Sequence, residues 1–275
     1  MGEWIAPLSD TWVHVNGRKV FVRTGPVVDG STPIVHVHGF GISGTSLVPT
    51  AERLAARATT FVPDLPWHGR SEDGEGVLGI RALASSLLEI LDALGLERVV
   101  LVGNSMGCPV DLEVARIAPE RIERSVLVSP AGGMYNQPLR RAMVQLAKDG
   151  LREPPRIART AVPDYLHFGP ASTYRLFSEM TRFPSQERLL RTSVPSLAVI
   201  GSRDPLMPPP WRVREIARLA PEHITIAVIG GAAHAINFSH PGELAHVIAS
   251  WLDGKEIVDD PTQPGLTRVL QVGRS

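Results

Sequence analysis

Arg98-Val99-Val100-Leu101-Val102-Gly103-Asn104-Ser105-Met106-Gly107 is the stretch that decides the fold. Five residues of mainly apolar strand run straight into G-x-S-x-G, and Val110, Val114 and Ile117 then continue at helical spacing. A chain turning that sharply from strand to helix needs small residues on both sides of the turn, and Gly103 and Gly107 supply them. Such a turn lifts Ser105 clear of the sheet, with its hydroxyl exposed and the amides of a helix N-terminus beneath it. The same five letters in a loop would leave an ordinary serine. The strand before and the helix after make Ser105 a candidate nucleophile.

Outward from this turn the pattern is regular. Trp12 to Val15 and Lys19 to Arg23 flank Asn16-Gly17, the preferred pair for a tight hairpin. Beyond a Gly/Pro-rich loop at Gly25 to Pro33, apolar strands alternate with helices. Strands are expected at Pro33–Val37, Thr59–Val62, Ser125–Val128, Ser196–Ile200 and Ile224–Ile229. Helices are expected at Thr45–Arg57, from Ile80 to Leu94 closing at Gly95, at Trp211–Leu219 and at Glu243–Leu252. An antiparallel start followed by alternating β and α implies a mostly parallel sheet covered by helices on both faces, an α/β architecture. Residues 133–192 break the alternation with short helical segments, several prolines and no convincing strand. They are expected to form a helical lid inserted between two core pieces, 1–132 and 193–252. The tail 253–275 has no clear assignment, although Thr267 to Val272 could add an edge strand or contact a partner.

Composition narrows the classes of function. The 275 residues hold 28 basic and 28 acidic side chains and 43% hydrophobic residues, enough for a full core. Balanced charge argues against nucleic-acid binding, which needs a basic surplus to displace counterions. No apolar run approaches the roughly 20 residues of a membrane span, so membrane insertion is not expected. Met1 to Asp10 lacks the basic start and apolar core of a secretory signal. Cys108 is the single cysteine, so no intrachain disulfide can form; it is expected to be a buried packing residue. The expectation is a soluble cytoplasmic protein with no cofactor and no metal. A homo-oligomer is compatible with the chain, but nothing in it indicates one.

A serine needs a base, and the base an orienting acid. Asp204 lies just past the expected strand Ser196–Ile200, and His234 just past Ile224–Ile229. Each alone has a bland explanation, as a turn cap and a loop histidine; both falling at successive strand ends is harder to dismiss. The loop His38-Gly39-Phe40-Gly41 follows another strand end, so the backbone amides of Phe40 and Met106 are the candidate donors to an oxyanion. The expected substrate pocket comprises His38, Gly39, Asn104, Tyr135, Phe168 and Trp211. His36 and His38 lie two apart on one strand but lack a third ligand, and a structural role fits both better. His68 is read as a hydrogen-bonded loop residue, His240 as a helix start before Pro241, and Ser129 as a turn residue.

With these residues in place the chain resembles the α/β-hydrolase superfamily over roughly Trp12 to Leu252. The order Ser105, Asp204, His234 matches that arrangement. Asp64-Leu65-Pro66-Trp67-His68-Gly69-Arg70-Ser71 looks like its D-x-x-G-x-G-x-S loop, with Trp67 in place of the first glycine, a change expected to alter that loop or the nearby pocket. The resemblance implies a small-molecule substrate and a Ser-His-Asp hydrolase acting through an acyl-enzyme. Ser105 argues against the branches with Asp at the elbow, and Ala235 against the hydroxynitrile lyase branch. Gly103 to Gly107 and Ser129-Pro130-Ala131-Gly132-Gly133 look like the meta-cleavage product hydrolases, which split carbon–carbon bonds. Their oxyanion loop is usually richer in glycine, and an aromatic often follows their histidine. Ester hydrolysis is therefore the preferred expectation and carbon–carbon hydrolysis the runner-up. A receptor that keeps the three residues without turnover is the alternative of another class.

The insertion carries nine arginines and one lysine against five acids. They form either a solvated surface or, in one case, an inward clamp for a substrate carboxylate. Tyr135, Tyr165, His167, Phe168, Tyr174, Phe177 and Phe183 could roof an apolar pocket or pack a small core of their own.

Overall fold

The structure is a computed structural model in which residues 5–73, 76, 78–260 and 266–271 are described. Nine strands form one sheet: β1 (Ser9–Val15), β2 (Arg18–Thr24), β3 (Ile34–Val37), β4 (Thr60–Pro63), β5 (Val99–Asn104), β6 (Ile122–Val128), β7 (Ser196–Gly201), β8 (Ile224–Gly230) and β9 (Leu266–Gln271). Their order across the sheet is β1-β2-β4-β3-β5-β6-β7-β8-β9. β1 and β2 pair antiparallel through a turn at Asn16-Gly17, both with the positive φ that such a turn requires. β4, β3, β5, β6, β7 and β8 run parallel, and β9 closes the far edge antiparallel to β8. The tail thus supplies the edge strand at Thr267–Gln271; Val272 lies outside the described residues.

Between the strands come α1 (Val48–Leu54), α2 (Ile80–Ala93), α3 (Gly107–Ile117), α4 (Leu139–Gly150), α5 (Ala158–Phe168), α6 (Pro170–Arg182), α7 (Ser185–Arg191), α8 (Pro210–Leu219), α9 (Ile236–Ser239) and α10 (Pro241–Leu252). The central strands are apolar on both faces, and their residues alternate between two cores. Val99 and Leu101 of β5 pack with Leu83, Leu87 and Ile90 of α2 and Val110 and Val114 of α3. Val100 and Val102 pack on the opposite face with Leu54 of α1 and Leu244, Val247 and Ile248 of α10. Continuous Val/Ile/Leu runs are what a strand buried on both faces requires. At about 25 cal/mol per Å², such burial is the main term holding the sheet together.

α4 to α7 all fall between β6 and β7, and residues 133–192 contain no strand. The sheet therefore places the C-terminal ends of β3, β5, β7 and β8 together, with this insertion entering the chain beside them.

Candidate active site

The turn after β5 carries the strain that its glycines foretell. Ser105 has φ +52°, a left-handed conformation that costs a non-glycine residue on the order of 1–3 kcal/mol. A Cβ on Gly107 would lie 2.2 Å from the Val37 carbonyl oxygen, and one on Gly103 2.5 Å from Asp111 Oδ2. Neither position admits a side chain. The Ser105 amide donates to the Val128 carbonyl at 2.9 Å, which ties the turn to the end of β6.

Three strand ends then meet. His234 Nε2 lies 2.8 Å from Ser105 Oγ, and His234 Nδ1 lies 2.7 Å from Asp204 Oδ2. The other Asp204 oxygen accepts from the Leu206 amide at 2.8 Å, so the carboxylate cannot rotate away from the ring. All three residues are buried. The loop after β3 brings Gly39 and Phe40 to the same place, and both line a cavity of about 240 Å³ together with Asn104, Ser105 and His234. The Phe40 ring packs against Tyr165, Phe168 and Phe177. Met106 opens α3 and is fully buried.

Electrostatics around His234 involve more than Asp204. Burial alone would depress the ring. The charge and hydrogen bond of Asp204, with Asp149 and Glu153 beyond it, reverse this and raise His234 to about 9. Asp149 is itself pushed up to about 6, mainly by burial, and Glu153 is raised for the same reason. Their carboxylates also hold the histidine's backbone. Asp149 Oδ1 accepts from the His234 amide at 3.1 Å and Glu153 Oε1 from the Ala235 amide at 2.6 Å. Ser129 Oγ donates to the His234 carbonyl at 3.0 Å, so this turn residue fixes the other side of the same loop. Sequence reasoning missed Asp149 and Glu153 altogether. Two acids four residues apart are too common to signal a role, and only the packing of the insertion brings the end of α4 and the turn after it to His234.

Several expected pocket residues lie elsewhere. Tyr135 and Trp211 line a separate cavity of about 850 Å³ between the insertion and α8, which meets the first only at Leu206. Phe168 is buried behind Phe40 and stacks on His68 with ring centres 4.7 Å apart. His38 does not line the Ser105 cavity. Its Nε2 accepts from the Leu65 amide at 2.9 Å and its Nδ1 faces the Gly39 carbonyl at 2.9 Å, so it braces the loop after β3. Burial lowers its pKa to about 4, which keeps it neutral. Among the described residues no arginine lines the Ser105 cavity; Arg141 and Arg182 of the insertion reach the other one. The inward arginine clamp is therefore not formed. Of the aromatics in the insertion, Tyr165 and Phe177 do line the Ser105 cavity, whereas Tyr174 is exposed.

The loop at Asp64 accommodates Trp67 at the position of the missing glycine. Trp67 takes φ +69°, the left-handed conformation that glycine would adopt freely. Asp64 accepts from the Gly44 and Arg70 amides at 2.7 and 2.9 Å and pairs with Arg23 at 2.8 Å. Trp67 packs against the core and does not line the Ser105 cavity. Cys108 is buried, with Sγ 3.3 Å from the Gly103 and Val128 carbonyls, and burial pushes the thiol up.

A parallel sheet with a strained serine at the end of its central strand, facing a histidine and an aspartate, defines a class of proteins, and comparison identifies it. The alpha/beta hydrolase family model matches residues 34–247, and the chain belongs to that family. A dihydrolipoyllysine-residue acetyltransferase component of the acetoin cleaving system from Pseudomonas putida is 30% identical over 231 residues, covering 76% of this chain and 60% of that protein. A pimeloyl-[acyl-carrier protein] methyl ester esterase from Pectobacterium carotovorum is 26% identical over 245 residues, covering 77% of this chain and 91% of the esterase. Among solved structures, a bacterial membrane phospholipase A superposes with a TM-score of 0.76 at 21% identity, covering 90% of this chain and 86% of that one; at this identity the likeness concerns the fold. No helix among the described residues is long and apolar enough to cross a membrane.

Proposed function

We propose that the protein is a serine hydrolase that cleaves a carboxylic ester, lactone or thioester of a small to medium, partly apolar substrate. The hydrogen-bonded row Ser105–His234–Asp204, opening on a cavity of about 240 Å³, carries this reading. His234 takes the proton from Ser105 Oγ as that oxygen attacks the carbonyl carbon. Asp204 fixes the ring and stabilises the imidazolium. The Phe40 and Met106 amides receive the negative charge that develops on the carbonyl oxygen. His234 then protonates the leaving group, and a water that it activates cleaves the acyl-enzyme. Every step is served by these groups, so the reaction calls for no cofactor. Residues 133–192 act as the lid, since Leu146, Ile157, Tyr165 and Phe177 line the cavity opposite Ser105.

Ester cleavage is favoured over carbon–carbon cleavage by the absence of an arginine in the cavity and by Asp149 and Glu153 within it, which suit neutral substrates better than anionic ones. Hydrolysis of a chain-length series of p-nitrophenyl esters tests the reading. Turnover should be highest for acyl groups that the small cavity holds and should vanish in Ser105→Ala. Tight ligand binding without turnover would turn the assignment to a receptor.

A further inference from the structure

The charge of this chain is balanced only as a whole. Residues 133–192 hold ten basic and five acidic side chains, and the remainder holds eighteen and twenty-three. Four of the five acids of the insertion face the core. Asp149 and Glu153 accept from the His234 and Ala235 amides, Asp164 accepts from the Ser43 amide at 2.7 Å, and Glu179 from the Ile80 amide at 2.8 Å. Four of the five are thus spent on the backbone of the core. Glu187 alone remains exposed, opposite ten basic residues of which all but Arg188 are exposed. Among the described residues, none of those ten makes an ion pair.

The same segment exposes apolar side chains. Seven of the fourteen large exposed apolar residues described fall within these sixty positions, with Leu151 89%, Met134 88% and Leu166 78% exposed. They alternate with the basic residues along helical faces. On α4, Arg140, Val144 and Lys148 follow one another at four-residue spacing; on α5, Arg159, Val162 and Leu166 share a face. The opposite side of this same stretch, through Leu146, Ile157, Ala161 and Tyr165, lines the cavity of Ser105. A helical layer with a cavity wall inside and a basic, apolar surface outside matches the boundary between lipid headgroups and acyl chains. There apolar side chains sink below the headgroups while arginines hold phosphates. An acidic protein or a nucleic acid would use the arginines but leave Leu151, Val162 and Leu166 without a partner.

We propose that the outer face of α4 and α5 adsorbs on an anionic lipid surface and so sets the Ser105 cavity against esters dissolved in it. The adsorption stands on charge and exposure alone; the delivery of esters rests on the hydrolase reading above.

Flotation with phosphatidylglycerol-containing and pure phosphatidylcholine vesicles tests it. The full chain should float with the anionic vesicles, at least tenfold more tightly than with the neutral ones, and be released by salt. Leu151→Asp with Leu166→Asp, and separately Arg140→Glu with Arg159→Glu, should each weaken binding about tenfold or more. Both variants should hydrolyse a soluble short-chain ester at the parent rate and keep the parent circular dichroism, which shows that they are folded. Ser105→Ala should float unchanged while losing turnover; a parent protein that binds vesicles but hydrolyses no ester would refute the hydrolase reading and leave adsorption standing. No flotation, or flotation indifferent to both pairs, overturns the proposal. So does binding to polyglutamate or DNA without binding to vesicles.

Discussion

The strand ends and the 133–192 insertion approach His234 from opposite sides, and they hold it by different means. Asp204 and Ser105 are placed by the backbone of β7 and β5, three residues and one residue beyond hydrogen-bonded strands whose side chains are buried. Asp149 is placed by the last turn of α4 and Glu153 by the turn that follows it, and they reach the histidine through the amides of His234 and Ala235 and through its charge. The first arrangement survives any change of surface residues. The second depends on how one helical layer docks, through the core packing of Phe168, Leu176, Phe177 and Met180 and through four carboxylate-to-amide contacts, of which two lie at the histidine. The three residues thus stand at strand ends while their surroundings are set by a helical layer packed over them.

The largest effect should come from breaking the frame. Ser105→Ala or His234→Ala should lower turnover on the order of 10⁴–10⁶-fold, and Asp204→Asn by about 10⁴-fold, in steady-state ester hydrolysis with folding unchanged. A loss of only a few fold would mean that the three strand ends do not carry the chemistry.

Changing the insertion's carboxylates should alter the pH dependence instead. His234 is raised to about 9 by negative neighbours, and only its neutral form accepts the proton of Ser105. The rate constant kcat/KM should therefore climb with pH toward that value. Asp149→Asn with Glu153→Gln keeps an acceptor for each amide and removes charge that favours the imidazolium. The rising limb should move to lower pH, by about one unit or more, since one unit corresponds to about 1.4 kcal/mol of charge interaction. An unmoved profile would show that the insertion leaves the base alone.

A smaller effect sharpens the comparison from beneath the serine. Asp111 on α3 is buried against Gly103 with neither carboxyl oxygen hydrogen-bonded, and burial raises its pKa well above the ordinary range. The folded state then keeps a proton that the unfolded chain releases above about pH 4, so this group destabilises the fold increasingly as pH rises from there. Asp111→Asn removes the effect. Stability at pH 8 should rise by about 1–3 kcal/mol in chemical denaturation, with little change near pH 3. A loss at pH 8 would mean that the carboxyl has a partner when ionised.

The smallest change concerns the two docking contacts away from the histidine. Asp164→Asn and Glu179→Gln weaken the charge-assisted acceptors at Ser43 and Ile80, each by about 1 kcal/mol. The melting temperature should scarcely move, but trypsin should cut faster at the arginines of the insertion if that layer detaches on its own. Equal rates in parent and variants would make it an integral part of the core.

What was legible in the sequence follows the same division. Ser105, Asp204 and His234 stand directly after apolar runs, and a strand buried on both faces announces its own end, so their meeting was readable in one dimension. Asn16-Gly17 and the elbow glycines were readable because they meet a local backbone demand. Trp67 was visible as a departure, yet the backbone kept the left-handed form, held by the Asp64 contacts to Gly44, Arg70 and Arg23. His38, Tyr135, Phe168 and Trp211, expected in the pocket, lie outside it. A short helix exposes a different set of residues with each rotation about its axis, and nothing local sets that rotation.

By itself, then, the amino-acid sequence determined the sheet, the order of the three residues on it and the position of the insertion, because alternation, strand length and turn chemistry act between near neighbours. Only the tertiary structure decided which insertion side chains face Ser105. It turned four carboxylates inward to orphan amides of the core, and it left the arginines with Leu151, Val162 and Leu166 facing out. The reason is that a buried amide must find an acceptor wherever the fold places it, and here the acceptors came from residues 82 to 121 positions away in the chain.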